Sequence, residues 1–219
     1  MRRIAVVAAV AVVALVAAAL LAVGRGHGHS NASVASVGPI EISRHDLDLT
    51  VQHFHDEAAA EGRPFPAAGS ASYRQVERQA LSLLLDRAKL ELAARRIGVR
   101  VTDAEVAQRT AAGGTGEQEG GGALHADAEA AFARGTAKTQ LLTEAVFKRV
   151  TAPAAVSAAG VRAYYRSHRS VYGRERLSTL RGAIAAQLLA AKKNALMARW
   201  LARAHAAPAV IADGALKKG

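Results

Sequence analysis

The sequence contains no cysteine, so disulfide staples, thiolate zinc sites, iron–sulfur ligation and a cysteine nucleophile are all excluded. Aromatic residues are scarce. One Trp, four Tyr and four Phe in 219 residues favour an Ala- and Leu-based helical core over an aromatic-rich sandwich. Acidic residues are also in deficit, 18 against 29 Lys and Arg, an excess that suits acidic partners or membrane surfaces and says nothing about fold. No GxSxG, SxxK or HExxH phrase occurs, and the Gly-rich stretch 113–122 has neither a following Lys-Ser/Thr pair nor a preceding buried strand. Of the eight histidines, His27 and His29 fall in a GHGH stretch, whereas His53 and His55 stand two apart on a helix and point in different directions. No catalytic residue, cofactor or metal ligand is therefore assigned.

The N-terminus sets the expected compartment. Ile4 to Val23 is a run of twenty residues without a charged or polar side chain. As a helix it would be about 30 Å long, the thickness of a bilayer core. Arg2 and Arg3 precede it and only Arg25 follows closely, a bias that keeps the N-terminus in the cytoplasm and places the rest of the chain outside. Residues 1–24 are read as a retained membrane anchor or a cleaved signal, with Ser30-Asn31-Ala32 and Ser33-Val34-Ala35 supplying small residues for cleavage. Residues 25–35 then form a linker, residues 36–206 the folded body, and residues 207–219 a disordered tail.

Within the body the apolar spacing predicts a mainly α fold of five or six helices, with at most one short hairpin near residues 37–42 around Gly38-Pro39. Ser43 and Asp46 offer a capping pair for a helix over about 44–60, with Leu47, Val51, Phe54 and Ala58 on one stripe. The longest helix spans 72–97. Val76, Ala80, Leu84, Ala88 and Leu92, widened by Leu81, Leu83, Leu85 and Leu90, give it an apolar surface too wide for one neighbour. Gly98 ends it, and Thr102 with Glu105 forms a capping box for a brief helix before the Gly-rich loop 113–122. A helical pattern resumes over 123–148, with an interruption expected at Gly135. A further helix carries Val161, Tyr164 and Tyr165, residues 170–178 form a polar link, and a last helix over 180–206 aligns Ile184, Leu188, Ala191, Ala195 and Trp200. The expected core comprises Leu81, Leu84, Leu85, Ala88, Leu92, Ile184, Leu188 and Trp200.

Tyr164, Tyr165 and Tyr172 interleave with Arg162, Arg166, Arg169 and Arg174. Nucleic acid would suit such a pattern, but export argues against it. These tyrosines, with Val161, are instead candidates for binding polypeptide.

Two stretches, Val37-Gly38-Pro39-Ile40-Glu41-Ile42-Ser43-Arg44-His45-Asp46-Leu47 and the long run from Gln79 to Val106, resemble the N-terminal chaperone domain of SurA- and PrsA-type extracytoplasmic foldases. Lys192-Lys193 and Trp200-Leu201 resemble the closing helix of that family, so the likeness covers about residues 36–206. Leu84-Leu85, where the family more often has Leu-Ile, and Pro39 directly after the glycine depart from the pattern. Such foldases commonly insert a parvulin-type isomerase domain before the closing helix; here only Tyr172 to Thr179 fills that place. The resemblance implies an ATP-independent chaperone without its isomerase, binding unfolded exported polypeptides on an apolar helical groove. An envelope adaptor with one dedicated partner is the alternative, and a prolyl isomerase a more distant one.

Overall fold

The computed structural model describes residues 32–112 and 123–216, so the expectations for the run 4–23 and the loop 113–122 lie outside the described residues. Among the described residues no helix is long and apolar enough to cross a membrane. The chain runs β1 (Ser33–Val37), β2 (Ile40–Ser43), α1 (Arg44–Ala60), α2 (Ala71–Arg96), α3 (Asp103–Ala112), α4 (Ala123–Thr151), α5 (Ala158–Ser167), α6 (Arg169–Tyr172), α7 (Leu177–His205) and β3 (Val210–Ile211). The fold is mainly α.

Local chemistry places the element boundaries. Gly38 opens the two-residue β1–β2 turn at φ +58°, and a Cβ there would stand 3.2 Å from Leu92 Cδ2, so both the turn and the approach of α2 require glycine. Ser43 Oγ accepts the Asp46 N–H at 3.1 Å while the Asp46 carboxylate accepts the Ser43 N–H at 3.2 Å, a reciprocal cap on α1. Thr102 and Glu105 repeat the device on α3. At the end of α2, Val99 N–H bonds the Ala94 carbonyl and Gly98 N–H the Arg95 carbonyl, with Val99 and Ala94 packed in one cluster. This is a Schellman stop, and Gly98 adopts φ +75° to make it.

Two apolar clusters share α2. The first joins Val34, Ala35, Val37 and Ile42 of the sheet to Leu47 and Val51 of α1, to Ala80, Leu81 and Ala88 of α2, and to Ala215, with Leu84, Leu85 and Leu92 packed against it. The second joins Ala94 and Val99 to Leu142 and Val146 of α4 and to Met197, Trp200 and Ala204 of α7. A wide apolar face on α2 is thus divided along its length between two sets of neighbours. Ile184 is fully buried and Leu188 half-buried.

Several expectations need correction. The sheet has three strands in the order β2-β1-β3, so the ordered body extends beyond a single hairpin. Residues 207–216 are not a loose tail: Ala35 pairs with Ile211 and Ser36 with Val210, Ala212 N–H bonds the Val34 carbonyl at 2.9 Å, and Ala215 is buried. A two-residue strand is too short to display a period of two, which hid it in the sequence. The linker cannot reach Ala35, because Val34 and Ala35 lie inside the first cluster. Cleavage after Ala35 would remove three of the five residues of β1, whereas cleavage after Ala32 would leave the strand whole.

Gly135 does not interrupt α4. It clears space for the Arg87 guanidinium, which bonds Thr136 Oγ1 at 3.1 Å and lies 4.9 Å from the centre of the Phe132 ring. On α7, Ala191 and Ala195 are exposed while Met197 and Ala204 are buried. The reason is geometric: at about 100° per residue, Ile184 and Trp200 face directions roughly 160° apart. The first half of α7 therefore faces α5, and its second half faces α2 and α4.

One buried charge was not foreseen. Glu77, 1% exposed, sits on the core face of α2 with Arg44 Nη1 at 3.8 Å. Arg44 also donates from Nη2 to the Ala215 carbonyl, so one guanidinium joins the start of α1, the middle of the first cluster and the end of the chain. Arg44 Nη1 also lies 3.8 Å from Asp48, so loss of Glu77 leaves the guanidinium a partner, whereas loss of Arg44 strands a buried carboxylate. Arg44→Met should cost about 3–5 kcal/mol in urea denaturation, whereas Arg44→Met combined with Glu77→Leu should cost far less; equal losses would disprove this coupling.

Trp200→Ala should lower stability by about 3–5 kcal/mol through lost transfer energy and a cavity. Chemical denaturation checks this, and an unchanged midpoint would contradict the packing of Trp200 between α4 and α2.

Candidate polypeptide-binding surface

The expected binding residues fall at the corner where α5, α6 and the start of α7 meet. Ser157 caps α5, its Oγ accepting the Gly160 N–H at 3.0 Å. This fixes the phase of the helix. Val161 consequently points inward and is buried, so it leaves the candidate set and joins the interior.

The three tyrosines remain half-buried at the surface and are brought together. Tyr165 stacks on Tyr172 with ring centres 5.7 Å apart and planes 18° from parallel. Its hydroxyl donates to the Glu175 carbonyl at 2.6 Å, and Arg169 lies 5.0 Å over its ring while donating to the same carbonyl at 2.8 Å. Tyr164 stacks on His168 at 4.0 Å and accepts Gln187 Nε2 at 3.1 Å. The hydroxyls of Tyr164 and Tyr165 are thus anchored, and all three tyrosines stay partly open to solvent. Rigid rings with few rotatable bonds lose little entropy when they engage an apolar partner. Val171, immediately before Tyr172, is 75% exposed and extends the apolar surface beyond the rings.

A second cluster joins α1 to α4. Asp56 Oδ1 lies 2.7 Å from Gln52 Nε2, 3.1 Å from His55 Nδ1 and 2.7 Å from His125 Nδ1. Burial alone would raise the Asp56 pKa, but the hydrogen bonds from His55, His125 and Gln52 outweigh it and hold the carboxyl below its ordinary range. His53 turns to the other side of the helix from His55, stacking on Phe132 at 3.6 Å while His55 meets Phe65 edge-on. Desolvation there lowers the His53 pKa. Among the described residues no group of His, Asp or Glu is placed to hold a metal ion. The sequence signal available for this cluster was only the histidine spacing on α1; Asp56 and His125 meet through tertiary packing.

Four residues separate Tyr172 from Leu177, and the first of them, Gly173, turns the chain at φ +54°. A catalytic sheet-and-helix domain has no place in that connection. Small sheet, long shared helix and closing helix make a mainly helical module, and the described residues hold no parvulin-sized domain beside it. Residues 1–114, more than half of the chain, match the SurA-like N-terminal domain, and the chain belongs to that family. No curated protein and no solved structure matches the chain.

The contact between α2 and α4 is pH-sensitive at Glu91. Glu91 of α2 lies 2.8 Å from Lys138 of α4 and also pairs with Arg95. Burial would raise its pKa; the Lys138 and Arg95 contacts outweigh that effect and depress it below the ordinary 4.5. A depressed carboxylate contributes stability above its unfolded pKa and loses it as pH falls through the folded value. Urea midpoints should therefore fall more steeply between about pH 5 and pH 3 for the native chain than for Glu91→Gln, and parallel profiles would overturn this linkage.

Proposed function

We propose that this protein is an ATP-independent holding chaperone acting on unfolded exported polypeptides outside the cytoplasm. Membership of the SurA-like N-terminal family carries the reading. Half-exposed Tyr164, Tyr165 and Tyr172, extended by Val171, supply the contact surface: anchored ring faces cover short apolar segments of a client, which then cannot meet one another. Nothing in this scheme consumes a nucleotide or breaks a covalent bond. Release follows from the client's own folding, since burial of its apolar segments competes with the open surface. The apolar run Ile4 to Val23, as an anchor or as a removed signal, would deliver the module to the compartment where such clients emerge.

Light scattering from several chemically denatured clients diluted into buffer tests the proposal. Stoichiometric full chain should suppress aggregation, and Tyr165→Ala with Tyr172→Ala should reduce suppression severalfold under conditions where urea titration shows the variant still folded. Absence of suppression across all clients would defeat the reading. Capture of one dedicated partner by crosslinking, without affinity for unstructured peptides, would replace it with the adaptor alternative. Prolyl-peptide isomerisation should proceed at its background rate.

A further inference from the structure

The formal charge of the chain, +11, is not spread over it. Residues 148–206 hold twelve Lys and Arg against the single acidic residue Glu175, while the rest of the chain holds seventeen of each sign. Lys148, Arg149 and helices α5 to α7 therefore carry the whole excess. By contrast, residues 41–61, covering β2 from Glu41 and α1, hold six acidic residues against Arg44. The molecule is strongly polarised.

Pairing follows the same division. Outside the basic region Arg44, Arg63, Arg95, Arg109 and Lys138 are each engaged by a carboxylate. None of the twelve cations of 148–206 forms an ion pair among the described residues. Arg169 and Lys192 bond backbone carbonyls instead, which leaves their charge uncompensated. On α7, Arg181, Lys192, Arg199 and Arg203 are exposed and, at about 100° per residue, fall within a sector of roughly 40°. At about 1.5 Å per residue this row is about 33 Å long. Arg162 and Arg166 form a second exposed pair one turn apart on α5.

We propose that this α5–α7 face docks on an anionic lipid bilayer through its headgroup phosphates. Cations arrayed along an extended helix match a broad, delocalised sheet of negative charge better than a compact ligand. Nine of the twelve are arginines, whose planar guanidinium meets phosphate oxygens in pairs. Tyr165 of α5 and Tyr172 and the exposed Val171 of α6 add groups suited to the headgroup level. Separately, the sequence carries a bilayer-length apolar run, Ile4 to Val23. The inference is independent of chaperone activity, because it concerns where the body rests and not what it holds.

Arginine modification by phenylglyoxal, read residue by residue by mass spectrometry, tests it with the full chain. The chain is reconstituted in vesicles of phosphatidylcholine alone or with roughly a third phosphatidylglycerol, so the apolar run meets a bilayer in both cases. In the anionic vesicles Arg166, Arg181, Arg199 and Arg203 should react at least fivefold more slowly, while Arg63 and Arg74 keep their rates. Raising salt to about 0.5 M, where the Debye length is near 4 Å, should abolish the protection. Arg181→Gln with Arg199→Gln and Arg203→Gln should remove it at Arg166 as well, with an unchanged urea midpoint. Equal protection in both vesicles, or equal slowing of Arg63 and Arg74, would overturn the proposal. So would protection by soluble polyglutamate without protection by anionic vesicles, which would assign the face to an acidic polypeptide.

Discussion

A central strand has two edges to satisfy, and β1 draws its partners from opposite parts of the chain. β2 comes from the adjoining hairpin and β3 from beyond α7, so strands from the two ends of the described residues meet side by side. This requirement returns α7 across the molecule. Its second half can then close the cluster around Trp200, while Ala215 and the carbonyl taken by Arg44 fill the first cluster. The helices are consequently organised around a very small sheet that supplies little area but fixes where the segment after α7 must return.

Helix α2 converts that closure into one body. Its early turns face the sheet and α1, and its last turns face α4 and α7. Loss of either cluster would expose one half of a helix that is continuous through both, so the two are mechanically joined by backbone hydrogen bonds. Buried Glu77 lies in the early half, where a purely apolar residue would pack with less specificity. Its pairing with Arg44 joins α2 to α1 and leaves two buried polar atoms, Arg44 Nη1 and Glu77 Oε2, without a hydrogen-bond partner among the described residues.

What was legible in the sequence was local. Ser43 with Asp46, Thr102 with Glu105, and Gly98 after the long apolar stripe each act within a few residues, and the structure places them at the helix ends they mark. What was hidden depends on distant partners. β3 is a strand only because β1 offers an edge, and Gly135 continues a helix because Arg87 occupies the space beside it. The expected stripe on α7 steps by four, three and four from Ile184 to Ala195 and then by five to Trp200, a step that turns about 140° onto a second face, the one that also carries Met197. The tyrosine cluster was legible as composition, but Val161 was misassigned because the phase of α5 is set by Ser157 and its packing on α7.

The link from Gly173 to Arg176 gives the fold a permissive seam. All four of its residues are exposed, and neither apolar cluster draws on them. Lengthening an exposed connection costs closure entropy that grows only with the logarithm of its length. The bonds at stake are local, from the Glu175 carbonyl to Tyr165 and Arg169, from Glu175 N–H to the Tyr172 carbonyl, and from the first turn of α7 to the Arg176 carbonyl. An entire domain could thus be spliced in or out at this point while the sheet, α2 and the second half of α7 kept their packing. A chain built this way gains or sheds a catalytic passenger without renegotiating its core.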